Sequence, residues 1–139
     1  QETLPSLFTA EELTLDFPTI YGVSSSVRWL KLGFLLSQNQ DIEVECVDDI
    51  LTEHKGDKHA AYLLRYLDDG SESYVIKNKD KNSYFYPSYK SIDYLLCSVN
   101  EEELNPRLIE IVKKIREISL CFELDMPNQK EILNFTQLL

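Results

Sequence analysis

The chain contains few of the residues that break, kink or cross-link small proteins. Its 139 residues include only four glycines, five prolines and three cysteines. No short-period repeat is present, which excludes collagen-like and solenoid proteins, and four scattered glycines cannot form a Gly-rich phosphate-binding loop. No apolar run reaches the roughly 18 residues that a membrane-spanning helix requires, so we expect no contact with a membrane.

The three cysteines, Cys46, Cys97 and Cys121, are odd in number and far apart. A disulfide framework or a zinc knuckle needs closely spaced or paired cysteines, and this chain has none. Each cysteine lies in an apolar run, which is typical of a buried, reduced thiol. We therefore expect three free thiols, no structural metal and a cytoplasmic location.

Basic residues are also scarce, with 14 Lys and Arg against 24 Asp and Glu and a net charge of −10. This charge repels a phosphate backbone, so DNA is not an expected partner. When the chain is divided into residues 1–24, 25–53, 54–100 and 101–139, only residues 54–100 carry no net negative charge. Tyrosines and lysines are interleaved there between residues 74 and 90. That mixture leaves RNA open as an alternative partner, although lysines in turns commonly serve solubility. The lysines are Lys77, Lys79, Lys81 and Lys90.

Apolar residues make up 43% of the chain, enough to bury one hydrophobic core. We predict a loosely ordered lead-in at residues 1–12 and a single domain at residues 13–139. Gly33 lies inside a predicted helix, where glycine costs stability, so we expect a neighbouring strand to approach it closely.

Alternating apolar residues and turn signals predict a series of strands, and spacings of three and four residues predict helices. Residues 92–99 are apolar on both faces, and their short length favours a strand over a buried helix. Residues 127–139 are expected to dock on the core. Together these elements predict an α+β fold, with two main helices packed on one face of a mainly antiparallel sheet of about five strands. The predicted strands are 13–17, 41–46, 60–67, 73–78, 82–86, 92–99 and 119–124, and the predicted helices span 26–38, behind the N-cap serines 24–26, and begin at Pro106, behind Asn105.

Both histidines, His54 and His59, fall in a polar segment at residues 52–59 together with acidic residues. Metal ligands must be held on rigid elements, and the segment has no HxH or HExxH spacing. We interpret it as a solvated loop and expect neither a metal nor a cofactor.

Glu43 and Glu45 alternate with apolar residues, so they are expected side by side on the outer face of a strand. Acidic pairs can act as a general acid and base or hold Mg²⁺ or Ca²⁺, and they can also bind a basic partner. A solvated surface is the favoured interpretation, and a docking face is the best functional one.

Asp93 stands alone in an apolar run beside Tyr94. A buried carboxylate is costly unless it is paired or hydrogen-bonded. We therefore expect a sheet-edge position or a specific partner, such as a Tyr hydroxyl, an Arg or backbone N–H groups. A pocket formed by Asp93, Tyr94 and Tyr86 is the alternative with a chemical role.

The stretch Tyr-Pro-Ser-Tyr-Lys-Ser-Ile-Asp-Tyr at residues 86–94 resembles the signature of the bacterial IPExxxVDY family. Pro87, Asp93 and Tyr94 match, and Ile92 replaces Val, whereas Tyr86 stands for Ile and Ser88 for Glu. Flanking similarities extend the resemblance over residues 13–135. It implies a cytoplasmic bacterial domain without an assigned activity, cofactor or catalytic residue, and it directs attention to Asp93 and Tyr94.

Three functional hypotheses follow. The first is a non-enzymatic protein-interaction or regulatory module that uses the acidic strand or the Tyr-rich hairpins, including Tyr84. The second is a small ligand-binding domain or enzyme with a pocket near Asp93, Tyr94 and Tyr86. The third is an RNA-associated factor that uses the Lys/Tyr hairpins of residues 74–90.

Overall fold

A computed structural model describes residues 19–53, 55–99 and 103–138. The predicted α+β class is confirmed. The main sheet has six strands rather than about five, and the segment expected to dock on the core adds a third helix. The expected lead-in at 1–12 and strand at 13–17 lie outside the described residues.

The elements are named here in chain order. Along the described residues they are β1 (Ile20–Ser25), α1 (Trp29–Ser37), β2 (Ile42–Leu51), β3 (Lys58–Tyr66), β4 (Glu72–Lys77), β5 (Lys79–Asp80), β6 (Ser83–Tyr84), a 3-10 turn (Pro87–Tyr89), β7 (Tyr94–Ser98), α2 (Pro106–Lys114), β8 (Ile118–Glu123) and α3 (Gln129–Thr136).

The main sheet is antiparallel throughout, in the order β2-β3-β4-β7-β1-β8. Strands β3 and β4 form a hairpin whose turn contains Gly70 at φ +74, a conformation that favours glycine. Strands β5 and β6 form a separate small hairpin. Within the described ranges, strands β2 and β8 are therefore the two edges of the main sheet.

Apolar side chains cover both faces of the sheet, not the single face expected. In β7, Leu95 belongs to the core cluster that includes Phe135 of α3, whereas Leu96 belongs to the cluster that includes Leu32 of α1 and Leu108 of α2. Neighbouring strand residues point to opposite faces, so α1 and α2 lie on one face and α3 on the other. The buried run at 92–99 is thus a central strand, as predicted.

Gly33 is buried in α1 directly against β3, as expected from the sequence. A Cβ atom at this position would lie 2.5 Å from both Cζ and Oη of Tyr62. The Tyr62 ring is stacked on Trp29 with centroids 4.1 Å apart, and its hydroxyl donates to the Trp29 carbonyl. The absent side chain therefore allows the helix and the strand to pack closely.

Two local predictions are wrong. Ser24 and Ser25 end strand β1 instead of capping the helix, which begins at Trp29 without a side-chain cap. The Ser25 hydroxyl instead donates to the carbonyl of Glu117 beside β8. Cys46 is exposed, because it lies on the outermost strand, whereas Cys97 in the central strand is fully buried.

Candidate functional site

The segment that resembles a family signature is held in place by a buried amide. Asn78, at the end of β4, donates from Nδ2 to the carbonyls of Tyr89 and Ile92, and its Oδ1 accepts the N–H of Tyr86. Its backbone N–H donates to the Asp93 carbonyl. Asn78 is 0% exposed, and each of these polar atoms has a partner. From the sequence, Asn78 was only the last residue of the predicted strand 73–78.

Three predicted site residues support this arrangement. The Asp93 carboxylate accepts the Ser25 N–H at 2.9 Å, which is one of the partners expected for it. The Tyr94 hydroxyl donates to the Val27 carbonyl, and the Tyr86 hydroxyl donates to the Asp125 carbonyl. Burial raises the pKa of both hydroxyls. The three side chains therefore connect the segment to its neighbours, and none of them lines the cavity beside Tyr84.

A cavity of about 400 Å³ lies between the β5–β6 hairpin, the loop after β2 and the first turn of α3. We call it the Tyr84 cavity. The ring of Tyr84 has the Nζ atoms of Lys79 and Lys90 at 5.8 and 5.7 Å from its centroid. The Nζ atom of Lys77 lies instead 3.9 Å from Oδ1 of Asp80. Two of the four interleaved lysines, Lys79 and Lys90, thus converge on the Tyr84 ring. Charged and polar side chains lining the cavity include Lys55, Asp57, Ser83, Lys90, Lys130 and Glu131.

His59 is not in a solvated loop: it lies in β3 and is 0% exposed. The Lys77 carbonyl is 2.8 Å from Nδ1, so Nδ1 carries the proton, and Nε2 accepts the Ser83 hydroxyl at 3.2 Å. A serine and a histidine in this arrangement can form a nucleophile and its base. This imidazole is sealed from the cavity solvent, however, so we interpret the pair as a structural link between β3 and the β5–β6 hairpin.

The remaining residues of the expected histidine cluster are not assembled into a site. His54 lies outside the described residues. Within the described ranges, no three His, Cys, Asp or Glu side chains are placed to hold a metal ion.

Glu131 is a buried carboxylate that the sequence analysis missed. It is 5% exposed and accepts the N–H and the hydroxyl of Ser88 at 2.6 and 2.7 Å. It also accepts the N–H of Asn128, whose side chain caps α3 in return. Ser88 is the position where the family signature has Glu, and here its role is to bind a carboxylate from another element.

The acidic strand is placed as predicted, with Glu43 and Glu45 exposed on β2. The Glu43 carboxylate pairs with Arg65 at 2.7 Å, and Arg65 also pairs with Glu72. The β2–β3 register shifts between Val47 and Ile50, which leaves two further acids, Asp48 and Asp49, at the same sheet edge. This edge is therefore charged and irregular.

The opposite edge of the sheet is apolar. Leu120 and Phe122 of β8 are 58% and 40% exposed and lie on the same face of the strand. We call this strand and its outward backbone groups the β8 edge. Sequence alternation predicted the strand, but apolar alternation is normally a signal for burial, so it gave no indication that these side chains are exposed.

The pKa values of buried phenols and of one thiol predict instability in alkali. Burial raises the pKa of Cys97 to about 12 from 9.0 and raises that of Tyr62 and Tyr94 above 10.0. Because the unfolded chain loses these protons at lower pH, folding free energy is retained below about pH 9 and is lost as pH rises toward 12. Urea midpoints measured from neutral to alkaline pH should therefore fall above about pH 9, and constant midpoints would contradict this.

Comparisons with known proteins add no relative. No family model, no curated protein and no solved structure matches the chain. Among the described residues, no helix is both long and apolar enough to cross a membrane.

Proposed function

We propose that this chain is a non-enzymatic protein-binding module and that it binds through the β8 edge. The observation that carries this proposal is the contrast between the two edges of one sheet. Natural proteins protect free edges with charges and bulges. Both edge strands have a register shift, but β2 carries four acidic residues, whereas β8 carries only Glu123. The β8 edge exposes two large apolar side chains instead, Leu120 and Phe122.

The backbone of β8 supports strand addition. Its register on β1 pairs Gly22 with Phe122 and Val23 with Cys121, and the Leu124 N–H donates to the Ile20 carbonyl. Hydrogen-bonded pairs alternate along an antiparallel ladder, so Phe122 bonds to β1 whereas Cys121 directs its N–H and carbonyl outward. Cys121 and, by the same alternation, Glu123 therefore offer free backbone groups to a partner strand.

A second copy of this chain fits the β8 edge. With the twofold axis at Cys121, an antiparallel β8 strand pairs Leu120 of each copy with Phe122 of the other on one face. Both Cys121 residues then form a hydrogen-bonded pair, which puts their Cα atoms about 5.5 Å apart. The two large apolar side chains that β8 exposes in each copy are thereby covered, and the six-stranded sheet of one copy continues into that of the other.

Substitution at the β8 edge should abolish this association. Sedimentation velocity of the full chain is expected to show a dimer, and Leu120→Lys and Phe122→Lys should weaken it at least about 10-fold, because each places a charge in an apolar contact. Leu67→Lys is the matched control, since Leu67 is similarly exposed outside β8. A monomeric wild type, or a dimer that survives both β8 substitutions, would contradict the proposal.

Cross-linking gives a second readout of the register. In a Cys46→Ser background Cys97 remains buried, so mild oxidation should link the copies through Cys121. The spacing of a hydrogen-bonded pair lies within the Cα range of disulfides, roughly 4.4–6.8 Å.

The three free thiols also support a cytoplasmic location, which we include in the proposal.

A further inference from the structure

We propose that the Tyr84 cavity binds a small polyanion of the phosphate-monoester or diphosphate class. This site is separate from the β8 edge and does not depend on the proposed dimer. The proposal rests on where the scarce basic residues of an acidic chain are placed and on what they contact.

Three lysines reach the cavity from three different segments of the chain. Lys55 comes from the loop after β2, Lys90 follows the 3-10 turn, and Lys130 lies in the first turn of α3. All three are exposed, and none forms an ion pair with a described carboxylate. Like charges that converge without a counterion repel one another, and a bound anion relieves that repulsion.

Neutral donors surround the lysines. The side-chain amides of Asn82 and Asn128 line the cavity. The backbone N–H groups of Gln129 and Lys130 begin α3 and have no hydrogen-bond partner among the described residues. Lysine ammonium groups supply charge and the amides supply directed hydrogen bonds, a combination that suits phosphate oxygens.

Two carboxylates line the same cavity, Asp57 and Glu131. Glu131 is buried, and both of its carboxylate oxygens already accept hydrogen bonds, from the N–H and hydroxyl of Ser88 and from the N–H of Asn128. The three lysines still outnumber these acids, in a chain whose net charge is −10. The cavity is therefore a locally basic site in an acidic protein.

Shape favours a small ligand over a nucleic acid. A concave space of about 400 Å³ is in the range of small-molecule sites. The adjoining cavity is lined by Lys55, Lys58 and Lys81 together with Asp57 and Asp80, and its lining contains no aromatic side chain on which a base could stack.

The test is an NMR titration of the ¹⁵N-labelled full chain with pyrophosphate at low ionic strength. We expect saturable shifts at residues around the Tyr84 cavity and at least about 10-fold weaker binding in K90A/K130A. The matched control is K113A/K114A, which removes the same charge from the last turn of α2. It should bind within about twofold of wild type.

Four outcomes would overturn the proposal. The first two are an absence of saturable shifts with pyrophosphate, and the same shifts with sodium chloride at equal ionic strength. The third is an equal loss of pyrophosphate affinity in both double variants. The fourth is a lower melting temperature of K90A/K130A with unchanged pyrophosphate binding. The last outcome would show that the lysines only balance Glu131. Tighter binding of a short single-stranded RNA, with shifts that extend to Lys58 and Lys81, would replace the small polyanion by RNA.

Discussion

Replacement of Asn78 by Ala is expected to lower the free energy of unfolding by about 3–5 kcal/mol. The side chain makes three buried hydrogen bonds, to the backbone of Tyr86, Tyr89 and Ile92. Its loss leaves the Ile92 carbonyl and the Tyr86 N–H without partners in the protein interior, and each such group costs about 1–3 kcal/mol. The Tyr89 carbonyl loses one of its two bonds and keeps the one from the Ile92 N–H. The reference measurement is equilibrium urea unfolding of both proteins at neutral pH.

Two further variants isolate the cause. Asn82→Ala removes the same side chain from an exposed position of the same hairpin and should change stability by less than about 0.5 kcal/mol. Asn78→Asp keeps the shape but replaces a donor by a carboxylate that faces two carbonyls, so it should be at least as destabilising as Ala. A loss of under about 1 kcal/mol for Asn78→Ala would show that the segment at 86–94 is held by other contacts.

Asn78 also shows which parts of this fold can be predicted from sequence. Alternation and turn signals located the strands of the main sheet other than β1 and β7, because both signals depend only on neighbouring residues. Strand β7 was predicted from the short length of its apolar run. The partners of Asn78 lie 8, 11 and 14 residues away and are backbone atoms, which carry no sequence signal. The predicted N-cap at serines 24–26 was wrong for a related reason. A serine hydroxyl can cap a helix or donate to a distant carbonyl, and Ser25 donates to the carbonyl of Glu117.

The candidate site residues also differ in how far the sequence alone predicts their surroundings. Asp93 was predictable as a carboxylate in need of a partner, because burial cost follows from local composition. His59 was misplaced because its polar neighbours indicated a loop, whereas its burial depends on the β5–β6 hairpin that covers it. Leu120 and Phe122 are exposed because β8 is the last strand in the sheet order. Strand order depends on the whole chain, so the sequence of β8 alone does not predict it.

Gly33→Ala should destabilise the protein by about 2 kcal/mol, although the same change inside an exposed helix normally stabilises by up to about 1 kcal/mol. The new Cβ would lie 2.5 Å from the end of the Tyr62 ring. Tyr62 is buried, stacked on Trp29 and hydrogen-bonded to the Trp29 carbonyl, so the ring cannot move without the loss of both contacts. The close contact with Tyr62 therefore makes a substitution destabilising that would stabilise an exposed helix.

Urea unfolding followed by fluorescence measures this effect directly, because Trp29 is the only tryptophan of the chain and reports on the stacked pair. Lys31→Ala, at an exposed position of the same helix, should stay within about 0.5 kcal/mol of wild type. Tyr62→Leu removes the clashing ring, so the double variant should be more stable than the sum of the two single changes predicts. If Gly33→Ala stabilised the protein, or if the two changes were additive, α1 would not be packed against β3 as closely as the 2.5 Å approach requires.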